Sequence, residues 1–123
     1  MILVGGEAEA ALAEEIQSLS RETNVASALG WNLSEVAALF SLSRYYVGND
    51  TGVMNMAAAV GIRTYCLFGA VAPIRHSSNI VAITPPGGVS KETGMAGLSA
   101  RQVLDAIETD QASARTSPVL RSK

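Results

Sequence analysis

Short, unbroken apolar runs separated by stretches of helical pattern constrain this chain more than anything else in it. Ile2-Leu3-Val4, Tyr45-Tyr46-Val47 and Tyr65-Cys66-Leu67-Phe68 have no polar alternation, and each is closed by glycine or a turn. Strands buried on both faces read this way, as they do in parallel sheets covered by helices. The intervening segments carry 3.6-residue periodicity, so strand and helix alternate about every twenty residues, the pattern of a right-handed parallel α/β sheet.

The predicted strands are Ile2-Leu3-Val4, a very short one at Asn24-Val25-Ala26, and then 44–48, 63–68 and 79–84. Helices are expected over 7–20, with Leu12, Ile16 and Leu19 inward, and over 34–41, capped by Ser34. A third, over 52–60, is almost entirely apolar and is expected to be buried all round. The last is capped by Ser99, with Val103, Leu104 and Ile107 inward. Residues 87–98 read as a loop too long to be idle, and the polar residues 110–123 as a disordered tail.

The 123 residues allow a single domain, assigned here to 1–109, with enough apolar content (48%) for a real core. A net charge of -2 provides no basic field for nucleic acid. No run reaches the ~20 apolar residues of a membrane span, and the N-terminus lacks the features of a signal peptide. One cysteine, Cys66, excludes an intrachain disulfide and fits a buried small hydrophobe in a reducing, cytoplasmic setting.

The functional information concentrates in Gly48-Asn49-Asp50-Thr51-Gly52-Val53-Met54-Asn55. Asp50 and Thr51 are both good N-caps, and a helix starting here after a parallel strand opens its N–H groups at the edge where α/β folds bind phosphates. Thr51 and Gly52 suit phosphate oxygens, while Asp50 suits capping or sugar hydroxyls. A plain capped helix accounts for the same residues. Glu7 and Glu9 fit either ribose hydroxyls or a dipole-favoured first turn, and Trp31 either a stacked base or the margin of the core. Arg75 and His76 could meet an anion, but no second histidine or orienting acid supports catalysis by His76. Gly87-Gly88 is a turn, and no Walker motif, nucleophile elbow or zinc spacing occurs.

Val47-Gly48-Asn49-Asp50-Thr51-Gly52-Val53-Met54, then Ala57-Ala58-Ala59-Val60-Gly61, Leu67-Phe68-Gly69 and Pro73, closely resemble the C-terminal half of the heptosyltransferases. These are the glycosyltransferase family 9 enzymes of lipopolysaccharide biosynthesis. Leu3-Val4-Gly5-Gly6 and Leu33-Ser34-Glu35-Val36-Ala37-Ala38-Leu39 match the same half in the same order, so the resemblance covers about residues 1–108. It implies a three-layer αβα Rossmann-like sandwich with a mainly parallel sheet, an incomplete GT-B C-terminal domain lacking its first strand and the N-terminal domain.

The resemblance also implies a nucleotide-diphosphate-sugar donor, an ADP-sugar above others, and no metal or cofactor. Transfer in full-length relatives is expected to be a direct displacement at the anomeric carbon. Carried onto this chain, Asp50 would contact the donor sugar and Thr51 and Gly52 the diphosphate. Met54 and Asn55 belong to the same segment, Glu9 would lie near the ribose, and Trp31 near the base. Three departures from the family pattern stand out. Asn55 replaces the usual histidine, Val71-Ala72 replaces a polar Thr-Asp pair, and the acceptor and catalytic-base domain is missing. The expected role is therefore donor binding without independent catalysis. The alternatives are a non-catalytic, homo-oligomerising interaction module and a fragment resembling the nucleotide-sugar 2-epimerases.

Overall fold

A computed structural model of the chain describes residues 1–20, 24–74 and 76–116. Arg75 and residues 117–123 of the expected tail lie outside the described residues. The chain forms two compact units, Met1–Ser43 and Arg44–Lys123.

In the first unit, strand β1 (Ile2–Gly5) leads through a 3-10 turn at Glu7–Glu9 into helix α1 (Ala10–Leu19), strand β2 (Ala26–Leu29) and helix α2 (Leu33–Ser41). β1 and β2 pair in parallel, Ile2 opposite Ala26 and Gly5 opposite Leu29. The second strand thus lies about two residues later than expected. Asn24 and Ala26 engage the chain start, through Met1 N–H to Asn24 O and Ala26 N–H to Met1 O, both 3.0 Å, and the ladder begins only there. α1 turns Ala13, Ile16 and Gln17 inward, Gln17 Nε2 donating to Val25 O at 3.0 Å, whereas Leu12 and Leu19 are exposed. The inward stripe is rotated from the one marked by the large apolar residues. α2 is capped by Asn32 rather than Ser34: Glu35 N–H donates to Asn32 Oδ1 and Asn32 N–H to Glu35 Oε2, both 2.9 Å, a full capping box.

In the second unit, strands β3 (Tyr45–Asn49), β4 (Arg63–Leu67) and β5 (Ile80–Ile83) form a parallel sheet in that order. Helix α3 (Gly52–Val60) covers one face and helix α4 (Ala100–Thr116) the other, which gives the expected three layers. Alternate residues of β4 divide between them. Cys66 joins Met54 and Phe68 under α3, with Tyr46, Ile80, Ala82 and Val89 packed around them. Tyr65 joins Ile83 and Ile107 under α4.

Two expectations change here. α3 is one-sided: Met54, Ala57 and Ala58 are buried, while Asn55, Ala59 and Val60 are exposed, because this sheet is covered by a single stripe of the helix. α4 continues to Thr116 instead of giving way to a disordered tail at 110. Gln111, Ala112, Ala114 and Arg115 sustain a helix, and Asp110 faces the sheet, where it meets Arg63 and Tyr65. The inward stripe of α4 is Val103, Ala106, Ile107 and Asp110, so Leu104 is exposed. Ser99 does cap this helix, through Gln102 N–H to Ser99 Oγ at 3.2 Å and Ser99 N–H to Gln102 Oε1 at 2.8 Å. Among the described residues no helix is long and apolar enough to cross a membrane.

Candidate functional site

At the carboxyl edge of the β3–β4–β5 sheet, Asn49 lies opposite Leu67, so Asp50 and Phe68-Gly69 leave the sheet side by side. Thr51 is extended (φ -140°, ψ 170°) and is the N-cap of α3, its Oγ1 accepting Met54 N–H at 3.4 Å. Of the two candidate caps, Thr51 takes the position, and this leaves the Asp50 carboxylate exposed. The Thr51 carbonyl accepts Asn55 N–H and Asn55 Nδ2, each at 3.2 Å. Gly52 and Val53 supply the remaining donors of the first turn, at the positive end of the helix dipole.

Gly52 and Gly69, both at this edge, differ in what surrounds them. Among the described residues, apart from its chain neighbours and the backbone of its own helix, no heavy atom lies within 4 Å of where a Cβ at position 52 would stand. A Cβ at Gly69 would lie 2.5 Å from Gly94 C and Met95 N, because residues 88–97 strap across this edge. Ser90 N–H donates to Gly69 O at 2.8 Å and Gly94 N–H to Ser90 O at 2.7 Å, and Val89 packs on the Met54 cluster. The long segment predicted as a loop is thus fastened beside the candidate site.

Met54 is not available to a ligand as a side chain. It is fully buried with Cys66 and Phe68, and its N–H is engaged by Thr51. The apolar core beneath the helix start claims it, so it is a structural residue. Cys66 is likewise buried, its thiol pushed up to about 11 by burial and by the charge of Asp50. Asn55 is exposed in the first turn of α3.

The first unit places its own candidates together at the carboxyl edge of β1 and β2. Gly30 N–H donates to Gly5 O at 2.9 Å, and Glu9 N–H to Gly6 O at 3.1 Å. Glu9 Oε2 lies 3.2 and 3.1 Å from where Cβ atoms at Gly5 and Gly6 would be, and the Glu7 side chain lies against Gly30. Trp31 follows directly and is 48% exposed, which leaves its indole outside the core.

His76 is exposed in the loop before β5. It lines a depression of about 620 Å³ along β5 with Arg63, Ile74, Ser77 and Ser78. The Arg63 guanidinium there is already committed, to Asp110 and, at 3.1 Å, to Ser78 O. This depression is lined by loop and strand residues and contains no helix start. Among the described residues no group of three or more His, Cys, Asp or Glu side chains is placed to hold a metal ion.

The family model of glycosyltransferase family 9 (heptosyltransferase) matches residues 1–97. Among curated proteins none is significantly similar. The structure of Escherichia coli ADP-heptose lps heptosyltransferase II is similar with a TM-score of 0.76 at 19% identity, over 93% of this chain and 37% of that one. The family 9 glycosyl transferase of Veillonella parvula DSM 2008 is similar with a TM-score of 0.74 at 20% identity, over 91% and 36%. At these identities the likeness is one of fold, and the chain spans little more than a third of either structure. The match to the family model covers most of the sequence, and the chain belongs to glycosyltransferase family 9.

Proposed function

We propose that this chain is the donor-binding part of a heptosyltransferase-like glycosyltransferase and binds a nucleotide-diphosphate sugar without catalysing transfer by itself. The observation that carries the reading is Gly52: the protein leaves its Cβ position open at a helix start, so the backbone is free to meet a ligand there. The Gly52 and Val53 N–H groups and the Thr51 hydroxyl serve as donors to the diphosphate, in the manner of helix N-termini that hold phosphates. Asp50, exposed and acceptor-only, serves sugar hydroxyls rather than phosphate.

An ADP-sugar is the preferred donor in this reading, because a heptosyltransferase named for ADP-heptose is among the structures of like fold. The same family relationship supports a role in lipopolysaccharide assembly and a cytoplasmic setting. Transfer also needs a positioned acceptor and a base, and we assign neither role to a residue of this chain. Calorimetry with ADP, UDP and an ADP-sugar tests the reading. Weak binding, lost in Asp50→Ala for the sugar nucleotide but not for ADP, is expected. Failure of every nucleotide to bind at millimolar concentration contradicts it.

A further inference from the structure

Among the described residues β3 pairs only with β4, so one side of the strand carries no ladder. The register fixes which backbone groups lie on that side. Thr64 N–H donates to Asn79 O at 2.8 Å and Phe68 N–H to Ile83 O at 2.9 Å, so even-numbered residues of β4 face β5 and odd-numbered ones face β3. Tyr65, opposite Val47, therefore bonds to Tyr46 and Gly48 in the parallel ladder. The N–H and C=O groups of Tyr45, Val47 and Asn49 point to the open side.

Edge strands commonly carry a lysine, a proline or a bulge that blocks further pairing. The other edge of this sheet, β5, runs into Pro85-Pro86. β3 has no such guard: it reads Tyr-Tyr-Val-Gly-Asn, with Tyr45 and Val47 39% and 40% exposed.

The flanking charges identify the occupant. Arg44 and Asp50 are exposed, and neither takes part in an ion pair among the described residues. They stand about 20 Å apart along the strand, too far to meet within one chain. An antiparallel copy of the same strand centred on Val47 sets Arg44 opposite Asp50 at both ends, on one face of the sheet. Tyr45 then lies opposite Asn49, and Tyr46 opposite Gly48. Opposite charges at facing positions favour such a pair.

We propose that β3 is a homodimerisation edge, pairing antiparallel with β3 of a second copy about a twofold axis at Val47, with Arg44 of each copy facing Asp50 of the other. Val47 exchanges both backbone hydrogen bonds with Val47 of the second copy, and Tyr45 does so with its Asn49. The proposal stands on the strand and its flanking charges and does not depend on any ligand.

Sedimentation velocity over a concentration series is expected to show a reversible monomer–dimer equilibrium. Val47→Lys sets two ammonium groups against each other at the twofold axis and should abolish the dimer, while thermal unfolding confirms that the fold is kept. Arg44→Asp should weaken dimerisation about tenfold, as two exposed ion pairs become repulsions, and adding Asp50→Arg should restore it. Val47→Cys should give a disulfide-linked dimer on mild oxidation, because facing Cα atoms of a hydrogen-bonded antiparallel pair stand about 5.5 Å apart. The wild type, whose cysteine is buried, should not. A wild-type chain that is monomeric at every concentration, a dimer that folded Val47→Lys leaves intact, or a charge swap that restores nothing overturns the proposal. If Val47→Lys does not fold, Arg44→Asp and its Asp50→Arg rescue decide the matter.

Discussion

Tyr65 donates its phenolic hydrogen to Asp110 Oδ2 at 2.8 Å, joining the central strand of the sheet to the last helix. The same carboxylate accepts Arg63 Nε–H at 2.9 Å and Arg63 Nη2–H. The Arg63 side chain is 42% exposed, so the ion pair itself is screened and worth little. The larger cost of losing Asp110 is a buried tyrosine hydroxyl left without its acceptor. Asp110→Ala is expected to lower unfolding stability by about 1–3 kcal/mol in urea titrations. Asp110→Asn, which keeps an acceptor for Tyr65, should cost less.

The same contact predicts a pH dependence. Arg63 hydrogen bonds hold the Asp110 carboxyl below its ordinary value, with the Tyr65 bond and the Arg63 charge acting in the same direction. A depressed folded value means that the contribution is complete at neutral pH. It declines once the pH falls below the ordinary carboxylate value, and is gone below the folded one. Stability measured between pH 7 and pH 2 should show this loss in the wild type, and a shallower acid limb in Asp110→Asn.

Gly69→Ala sets a methyl against the backbone of Gly94 and Met95, which cannot rotate away. The expected cost is about 1–3 kcal/mol. Hydrogen exchange should localise it, with faster exchange at the Ser90 and Gly94 amides that fasten the strap, and little change at β3.

Met54 and Asn55 are adjacent in sequence and differ entirely in role. Met54→Ala empties a fully buried position and should cost about 2–5 kcal/mol, measurable by thermal or urea unfolding. Asn55 is exposed, and its side chain donates to the Thr51 carbonyl. Asn55→His replaces a neutral donor with one that can gain charge beside a diphosphate. Calorimetry should show ADP binding tightened by about 1 kcal/mol, more at pH 6 than at pH 8. Equal affinity at both pH values would place residue 55 away from the ligand.

The sheet strands and the Thr51 helix start were legible because their signals are local: continuous apolar runs, a cap residue and small residues after it. The inward faces of α1 and α4 were not. Leu12, Leu19 and Leu104 mark stripes by size, but Ala13, Ala106 and Asp110 are the residues that meet the sheets. Asp110 looked like the start of a polar tail because its partners, Tyr65 and Arg63, are more than forty positions away. Met54 shared a motif with ligand-type residues and so shared their expected role, whereas helical geometry turns it to the opposite side. The strap across Gly69 left only its length as a sign.

Gly52→Ala, followed in parallel by unfolding and by ADP titration, tests the central claim most directly. A methyl at position 52 meets no described protein atom beyond its chain neighbours and its own helix backbone, and alanine favours a helix over glycine by up to about 1 kcal/mol. The account predicts that stability is unchanged or raised while ADP affinity falls, with the wild-type Gly52 and Val53 amide resonances moving on ADP addition. Undiminished ADP affinity in Gly52→Ala, or ADP-induced shifts that bypass residues 51–53, would contradict it.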